Sequence, residues 1–264
     1  MFITALVENT SNCELKTAHG LSLYIQTKNH QILFDLGPDH TLFANAAKRG
    51  IDLSEIDTVI ISHGHADHGG ALCEFLTVNP TANIYIQKRA FEPHLNKTFG
   101  RDKFIGLDQS LVDDPQIILV DGDYKIDEEL FLFTVTQTDK CHSPANDVLY
   151  GPSGRDDFSH EQNLLITENT TALVMGCGHC GIINILDKAK SFQPEVCIGG
   201  FHLFNPTSKE SAPTSLLDEI LQELQTYQET RFYTCHCTGK EAYDYLSARQ
   251  KTISYLSCGE SITI

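Results

Sequence analysis

A short run of metal-ligand side chains stands out in the first third of the chain. The segment Ser62–Gly70 reads SHGHADHGG and directly follows an apolar stretch predicted to be a buried strand, Thr58–Ser62. Four such side chains within six positions cannot all point into a hydrophobic core, whereas a loop at a strand end lets them converge. These are His63, His65, Asp67 and His68. Imidazole and carboxylate are natural zinc ligands, and such a site also accepts iron or manganese, so the run predicts a metal site.

Three further histidines each follow a predicted strand and a few small residues. They lie in the segments GCGHCG, GGFHL and CHCTG, as His179, His202 and His236. Strand ends at one edge of a sheet face a common cleft. The repeated pattern therefore favours a shared site with the first loop, although a single histidine is more often structural than a ligand.

The elements around these residues change character along the chain. The first half is predicted to contain mainly strands and turns, beginning with a strand at the N-terminus, and the second half alternates strands with helices. This order favours layered mixed sheets with helices outside. The predicted strands are Leu21–Thr27, Gln31–Asp35, Thr58–Ser62, Asn83–Gln87, Gln116–Val120, Leu130–Thr136, Asn163–Thr167, Thr171–Met175, Glu195–Ile198, Thr230–Thr234 and Thr252–Leu256. The predicted helices are Thr41–Arg49, Gly70–Leu76, Ile182–Phe192, Ser215–Tyr227 and Lys240–Ala248.

Two long segments, Ala90–Asp114 and Asp139–His160, are predicted to be irregular. Long loops in compact domains are more often functional than idle, so both are candidates for closing over a site.

Composition narrows the class of protein. The 264 residues are 41% hydrophobic and carry a formal net charge of -16, and no repeat or linker divides them, so we expect one domain over residues 1–264. The acidic balance argues against long nucleic acid as a partner.

No apolar run approaches the ~20 residues that span a membrane. The nine scattered cysteines and the absence of a signal-like N-terminus favour a reducing cytoplasm. Assembly into a homo-oligomer stays open.

The combined motifs resemble a known family. The HxHxDH run, preceded by FDLG at Phe34–Gly37 and followed by separated histidines, resembles the metallo-β-lactamase superfamily. The segment HGLS at His19–Ser22 and the three later histidine segments resemble, within it, proteins like dihydropterin-ribofuranosylaminobenzene-phosphate synthase. These matches extend over nearly the whole chain, in order.

The resemblance implies a four-layer αββα sandwich of two mixed β-sheets, with helices on the outer faces and one or two divalent metal ions at one edge. Zinc is expected first, with iron or manganese as alternatives. The first metal is expected to be bound by His63, His65 and His179, and the second by Asp67, His68 and His236. Asp35 is expected to lie beneath the metal loop and to hold a ligand histidine through a hydrogen bond.

One position departs from the superfamily pattern. Where a bridging aspartate is usual, this chain has Gly-Gly-Phe-His, so that His202 stands in its place. An imidazole cannot bridge two metals through one atom as a carboxylate does. His202 is therefore expected either to contact a metal or to act on the substrate, for example by protonating a leaving group.

The resemblance also implies an enzyme. A hydroxide shared by two metals would attack an electrophilic centre, with Asp67 orienting it. We expect a hydrolase of a small anionic substrate, with a phosphoester or phosphodiester ahead of a thioester or lactone. The alternative is a transferase of the synthase type. A redox or sensor module is disfavoured, because diiron members typically carry Glu where this chain has His65.

Weaker assignments complete the prediction. Four residues are candidates for the substrate pocket: His19, His142, Glu161 and Thr238. The cysteines that flank two of the histidines, Cys177, Cys180, Cys235 and Cys237, are interpreted as small residues that pack around ligands.

Overall fold

Two seven-stranded sheets form the centre of the computed structural model, which describes residues 1–264. The strand order in the first sheet is Ser261–Thr263, Phe2–Val7, Ser22–Gln26, Gln31–Phe34, Thr58–Ile61, Asn83–Gln87 and Ile117–Val120. The order in the second is Ile253–Tyr255, Arg231–Thr234, Val196–Gly199, Thr171–Val174, Asn163–Thr167, Leu130–Phe133 and Tyr124–Lys125. Both sheets are mixed, with antiparallel pairs on one side and parallel pairs on the other.

The two sheets pack face to face because their strands alternate between two apolar surfaces. In the first sheet, Ile32 and Phe34 belong to the central cluster of buried residues, whereas Leu33 between them belongs to an outer cluster. In the second sheet, Val174 faces the centre and Leu173 faces outward. Side chains that alternate along a strand point to opposite faces, so each sheet buries both of its faces.

Helices cover the outer faces of both sheets. Over the first sheet, Leu42 and Phe75 come from two helices and pack in the outer cluster. Over the second sheet, Leu186, Ile220 and Leu246 come from three helices and do the same. The α-helices are Thr41–Arg49, Ala66–Gly69, Leu72–Val78, Ile182–Ala189, Thr214–Leu224 and Lys240–Arg249. Short 3-10 helices are Leu53–Glu55, Lys88–Phe91, Thr98–Gly100, Gln109–Leu111, Pro144–Val148, Lys190–Phe192, Gln225–Tyr227 and His236–Thr238. The predicted four-layer αββα sandwich is confirmed.

The structure differs locally from the predicted elements where the apolar pattern of the sequence is weakest. The predicted helix Gly70–Leu76 corresponds to Leu72–Val78, whereas the short helix Ala66–Gly69 before it and the strand Ser261–Thr263 were not predicted. The two long segments are not wholly irregular, because they contribute a four-stranded sheet. Its strands, in order, are Gly154–Arg155, Leu149–Gly151, Leu95–Asn96 and Lys103–Phe104. A further two-stranded hairpin is formed by Phe204–Asn205 and Glu210–Ser211.

The parallel strands of both sheets end at the same edge of the sandwich. Asp35, Ser62, Met175, Gly200 and Cys235 are the residues that directly follow five of these strands. Every histidine singled out as a ligand therefore lies on a loop at this edge, or on the short helix that follows. No helix of the structure is both long enough and apolar enough to span a membrane.

Candidate metal centre

The loop after Thr58–Ile61 is folded tightly against the rest of the molecule. His63 and His68 are fully buried, and His65 is nearly so. A Cβ on Gly64 would lie 2.5 Å from the Ala90 carbonyl oxygen, so only glycine fits between the two histidines. The close packing fixes the direction in which each side chain leaves the loop.

One group of side chains contains His63, His65 and His179. The Nε2 atoms of His63 and His179 are 3.3 Å apart, and one ligand atom from each of the three residues lies within 4.8 Å of the others. Two nitrogens about 2.0–2.1 Å from the same tetrahedral ion are about 3.4 Å apart. This group therefore fits a divalent ion.

A second group contains Asp67, His68 and His236. The Nε2 atoms of His68 and His236 are 3.2 Å apart. Asp67 Oδ2 lies 3.3 Å from His236 Nε2 and 3.7 Å from His68 Nε2. Three ligand atoms at these separations also fit one ion. The structure thus brings together, in the predicted two groups, all six residues that the sequence nominated as ligands.

Hydrogen bonds from beneath the loop orient two of the histidines. His68 Nδ1 donates to Asp35 Oδ2 at 2.6 Å, so Asp35 lies beneath the metal loop. His63 Nδ1 donates to Ser62 Oγ at 2.8 Å, and Ser62 Oγ in turn donates to Asp35 Oδ2 at 2.8 Å. With the proton on Nδ1, the Nε2 lone pair of each ring faces the centre, as a metal ligand requires.

Two asparagines orient His179 and His236 in the same manner. His179 Nδ1 donates to Asn146 Oδ1 at 2.9 Å, and Asn146 Nδ2 donates back to the His179 carbonyl at 2.9 Å. His236 Nδ1 donates to Asn9 Oδ1 at 2.9 Å, and Asn9 Nδ2 donates to the His236 carbonyl at 3.3 Å. Both side chains are therefore fixed with Nε2 toward the centre.

Two buried glutamates hold the backbone of these ligand loops. Glu161 accepts from the backbone N–H groups of His179 and Cys180, at 2.7 and 2.9 Å. Glu8 accepts from the backbone N–H of His236 at 2.6 Å and from the Tyr255 hydroxyl at 2.7 Å. Glu161 was nominated for the substrate pocket, but the structure places its carboxylate behind the loop.

A buried network lies on the far side of His65. Asp156 Oδ2 accepts from His94 Nδ1 at 2.9 Å and from His160 Nε2 at 3.2 Å. His160 Nδ1 accepts from the backbone N–H of Gly64 at 2.9 Å, which anchors the metal loop. The Nε2 atoms of His65 and His94 are buried without a hydrogen-bond partner. Three residues of this network, His94, Asp156 and His160, were not predicted as site residues, although all three lie in the long segments that are candidates for closing over a site.

The charges of the centre are set by burial and by close neighbours. Burial, followed by neighbouring imidazoles, holds the pKa values of His63 and His179 well below normal, so both rings are neutral and free to bind an ion. Burial would raise the pKa of Asp67, but His68 and His236 outweigh it and hold that pKa well below its usual range. Burial would lower the pKa of His68, but Asp35 and Asp67 raise it to about 9.

Both groups contribute to the lining of a cleft of about 370 Å³, which has room for a small molecule: His65 and His179 from the first, Asp67 and His236 from the second. His19 lines the cleft, and its Nε2 is 3.5 Å from Asp67 Oδ2. His19 is half-exposed, and its partial burial beside His236 lowers its pKa to about 4. Lys103 and Phe104, from the four-stranded sheet, form part of the wall.

His202 also lines the cleft, beside the first group. Its ring centroid is 4.1 Å from that of His179. Both ring nitrogens are buried without a hydrogen-bond partner, and its backbone carbonyl accepts from Ser143 Oγ. Unpartnered nitrogens in a buried ring are costly, so their position at the cleft favours a ligand that would satisfy them.

Besides Glu161, two of the weaker candidates do not line the cleft. His142 is exposed and its Nε2 contacts Asp147 Oδ1 at 3.1 Å. Thr238 is fully buried and its Oγ1 accepts from the Phe201 N–H at 2.9 Å, which positions the loop of His202.

Two of the cysteines that were interpreted as packing residues, Cys177 and Cys237, also line the cleft. Cys177 Sγ lies 3.2 Å from His68 Nε2, and Cys237 is close to both Cys177 and His236. The other two, Cys180 and Cys235, are buried and do not line the cleft. The signal that could have identified Cys177 is its position, since it follows a parallel strand as the ligand histidines do.

Fold and site together define the class of protein. Residues 16–159 match the family model of the metallo-beta-lactamase superfamily, so the chain belongs to that superfamily, as predicted. Its members are enzymes, and the fold is that of the superfamily's metal-dependent hydrolases.

Individual relatives resemble the chain over nearly its full length. It is 28% identical to the 7,8-dihydropterin-6-methyl-4-(beta-D-ribofuranosyl)-aminobenzene-5'-phosphate synthase of Methanocaldococcus jannaschii, over 88% of this chain and 84% of that protein. It is 26% identical to the uncharacterized protein MJ0448 of the same organism, over 93% of each. The structure of Tm1679, a metal-dependent hydrolase of the beta-lactamase superfamily, superposes with a TM-score of 0.82 at 26% identity, covering 100% of this chain and 99% of that one. The predicted resemblance to the synthase is thereby confirmed.

Proposed function

We propose that this protein is a metal-dependent hydrolase of a small anionic substrate, with a phosphoester or phosphodiester as the substrate class. The observation that carries this proposal is that both ligand groups contribute residues to one cleft, which the unpartnered His202 also lines. The likeness to Tm1679 supports the hydrolase class.

The ligand atoms fit one or two divalent ions, held by His63, His65 and His179 and by Asp67, His68 and His236. Zinc suits these imidazoles best, with iron or manganese as alternatives. When bound, such ions act as Lewis acids and make water acidic enough to be a nucleophile near neutral pH.

The chain's own residues would then position the substrate and move protons. Lys103 at the cleft wall would contact the anionic group of the substrate. Asp67 would accept a hydrogen bond from the attacking water and so orient it. As the bond from phosphorus to the leaving oxygen breaks, His202 would donate a ring proton to that oxygen.

A transferase is the second candidate, and the synthase relative is the observation that favours it. A transferase needs a second organic substrate, whereas a hydrolase turns over with water alone. The same cleft would then hold two reactants, and binding would bring them together.

The deciding experiment combines elemental analysis with turnover of a single substrate. The protein is purified without chelators or affinity nickel, and its metal content per chain is measured. It is then assayed with p-nitrophenyl phosphate, a phosphomonoester, and with bis(p-nitrophenyl) phosphate, a phosphodiester. We expect bound divalent metal and release of p-nitrophenol without an added acceptor. The absence of bound metal would contradict the proposal. Turnover that required a second organic substrate would favour the transferase.

Replacement of a central ligand gives the matched test. His63→Ala is expected to lose metal and to reduce turnover by at least about a hundredfold, because the developing charge is no longer stabilised. The control is His40→Ala, since His40 is an exposed histidine that does not line the cleft. Normal metal content and full activity in His63→Ala would contradict the assignment.

The setting proposed for this activity is the cytoplasm. All nine cysteines are free in the structure, which suits a reducing compartment. The formal charge of -16 supports a small substrate rather than long nucleic acid.

A further inference from the structure

The proposed metal centre has only one carboxylate placed to contact the ions it would hold, because the buried carboxylates of Asp35, Glu8 and Glu161 bind the ligand residues from behind. Two divalent ions carry four positive charges, and the ligand histidines are neutral when they bind. Asp67 is the only carboxylate among the residues that line the cleft. The position where the superfamily usually has a bridging aspartate carries His202. A buried charge without compensation is costly, so a further anionic ligand is expected.

The sulfur of Cys177 lies where such a ligand would be effective. Its Sγ is 3.2 Å from His68 Nε2. This sulfur is within 4.8 Å of ligand atoms from six residues. They form three pairs: His63 with His68, His236 with Cys237, and His179 with His202. One atom is thus within reach of residues from both ligand groups.

The loop that carries Cys177 is held in place from both sides. The side chain is 3% exposed. Its backbone carbonyl accepts from Cys237 Sγ at 3.4 Å, and the carbonyl of the preceding Gly176 accepts from the Gly200 N–H at 2.8 Å. Gly178 has a φ of +65°, which lets the chain turn so that both Cys177 and His179 face the centre.

We propose that Cys177 is a metal ligand whose thiolate is shared by the two ions, in place of the missing bridging carboxylate. This inference rests on the proposed metal centre. When the metals bind, the S–H proton leaves to solvent and the sulfur forms one bond to each ion. A thiolate is a soft ligand, so the site would favour zinc over manganese.

Cobalt(II) provides a direct probe, because a thiolate bound to cobalt(II) has a charge-transfer absorption band in the near ultraviolet that imidazole and carboxylate ligands lack. Metal-free protein is titrated with cobalt(II) and the band is followed. We expect the band to grow through both equivalents, because each ion binds the same sulfur. A band that stops growing after one equivalent would show that the sulfur is not shared.

Variants of neighbouring cysteines identify the sulfur. Cys177→Ser is expected to lose the band and to weaken binding of the second ion by at least about tenfold. Cys177→Asp restores a carboxylate and is expected to bind two ions without the band. Cys180→Ser is the matched control, because Cys180 lies on the same loop with its Sγ directed toward the Val135 carbonyl, 3.7 Å away. It should keep the band.

Several outcomes would overturn the inference while leaving the proposed function intact. One is a wild-type protein that binds cobalt(II) without the band. Another is a band that survives in Cys177→Ser but disappears in Cys237→Ser, which would make Cys237 the ligand. A wild-type protein that binds no divalent metal would instead overturn the proposed function itself.

Discussion

Three residues of the centre have a backbone conformation that non-glycine residues rarely adopt. The φ angles are +61° for Asp35, +49° for His202 and +50° for His236. Each such residue costs about 1–3 kcal/mol unless its surroundings compensate. The hydrogen bonds of these residues to neighbouring loops provide that compensation, and the strain places each side chain at the strand ends where the two ligand groups meet.

His202 is predicted to act on the substrate rather than to hold metal. His202→Asn is the suitable change, because asparagine tolerates a positive φ and the loop should keep its shape. We expect turnover to fall by about 10²–10⁴-fold, as for loss of a general acid, with metal content unchanged. Elemental analysis and steady-state kinetics on the same preparation check this. Loss of one metal equivalent would instead identify His202 as a ligand.

The side chains that could be predicted from sequence were those whose type and position both carry information. The six ligand candidates and Asp35 follow strands and have ligand chemistry, and the structure places them together. Cys177 has the same position, but a cysteine between glycines is equally typical of close packing. Asn9 and Asn146 could not be predicted, because each reaches its histidine from a distant part of the chain.

At the scale of elements, the long strands and helices were predictable because each has a clear apolar pattern. The four-stranded sheet beside the cleft was not, because its strands are two or three residues long and have no measurable periodicity. Its position depends on contacts such as that between Asp156 and His94, which join two segments far apart in sequence.

A histidine clamp away from the metal centre joins the two sheets. His30 Nδ1 contacts Asp57 Oδ1 at 2.9 Å, and its Nε2 contacts Asp127 Oδ2 at 2.8 Å. Asp57 precedes a strand of the first sheet, and Asp127 follows a strand of the second. Burial would lower the pKa of His30, but the two carboxylates outweigh it and raise that pKa.

Because the folded protein binds this proton more tightly than the unfolded chain, the clamp stabilises the fold fully at a pH below about 6.5. The stabilisation is lost as pH rises through the raised pKa of the folded state. We expect the protonated clamp to contribute about 1 kcal/mol or less to the free energy of unfolding, since both carboxylates are partly exposed to solvent. The free energy of unfolding is measured by urea denaturation for metal-loaded wild type and His30→Gln, at pH values from about 6 upward. The loss of the clamp's stabilisation with rising pH should be seen in wild type alone. His40→Gln serves as the surface control, and an identical pH dependence in His30→Gln would contradict the prediction.

At the scale of the whole molecule, the candidate metal centre joins the two sheets. His63, His65, Asp67 and His68 follow a strand of the first sheet, whereas His179 and His236 follow strands of the second. Ions bound between these ligands would cross-link the halves of the sandwich. Metal binding is therefore expected to contribute to the stability of the whole fold as well as to chemistry.

Removal of the metal should consequently lower the melting temperature. A ligand that binds only the folded state stabilises it by about 2.7 kcal/mol at a free concentration of 100 times its Kd. In a chain of this size, 1 kcal/mol corresponds to roughly 2–4 °C, so chelation should lower Tm by about 5–10 °C. Hydrogen exchange should increase at the ends of the parallel strands that carry the ligands, and less at the opposite edge. His63→Ala should already melt near the metal-free temperature and respond little to chelator. A chelator that removes all metal from the wild type without changing Tm would show that the sheets hold together without the ions.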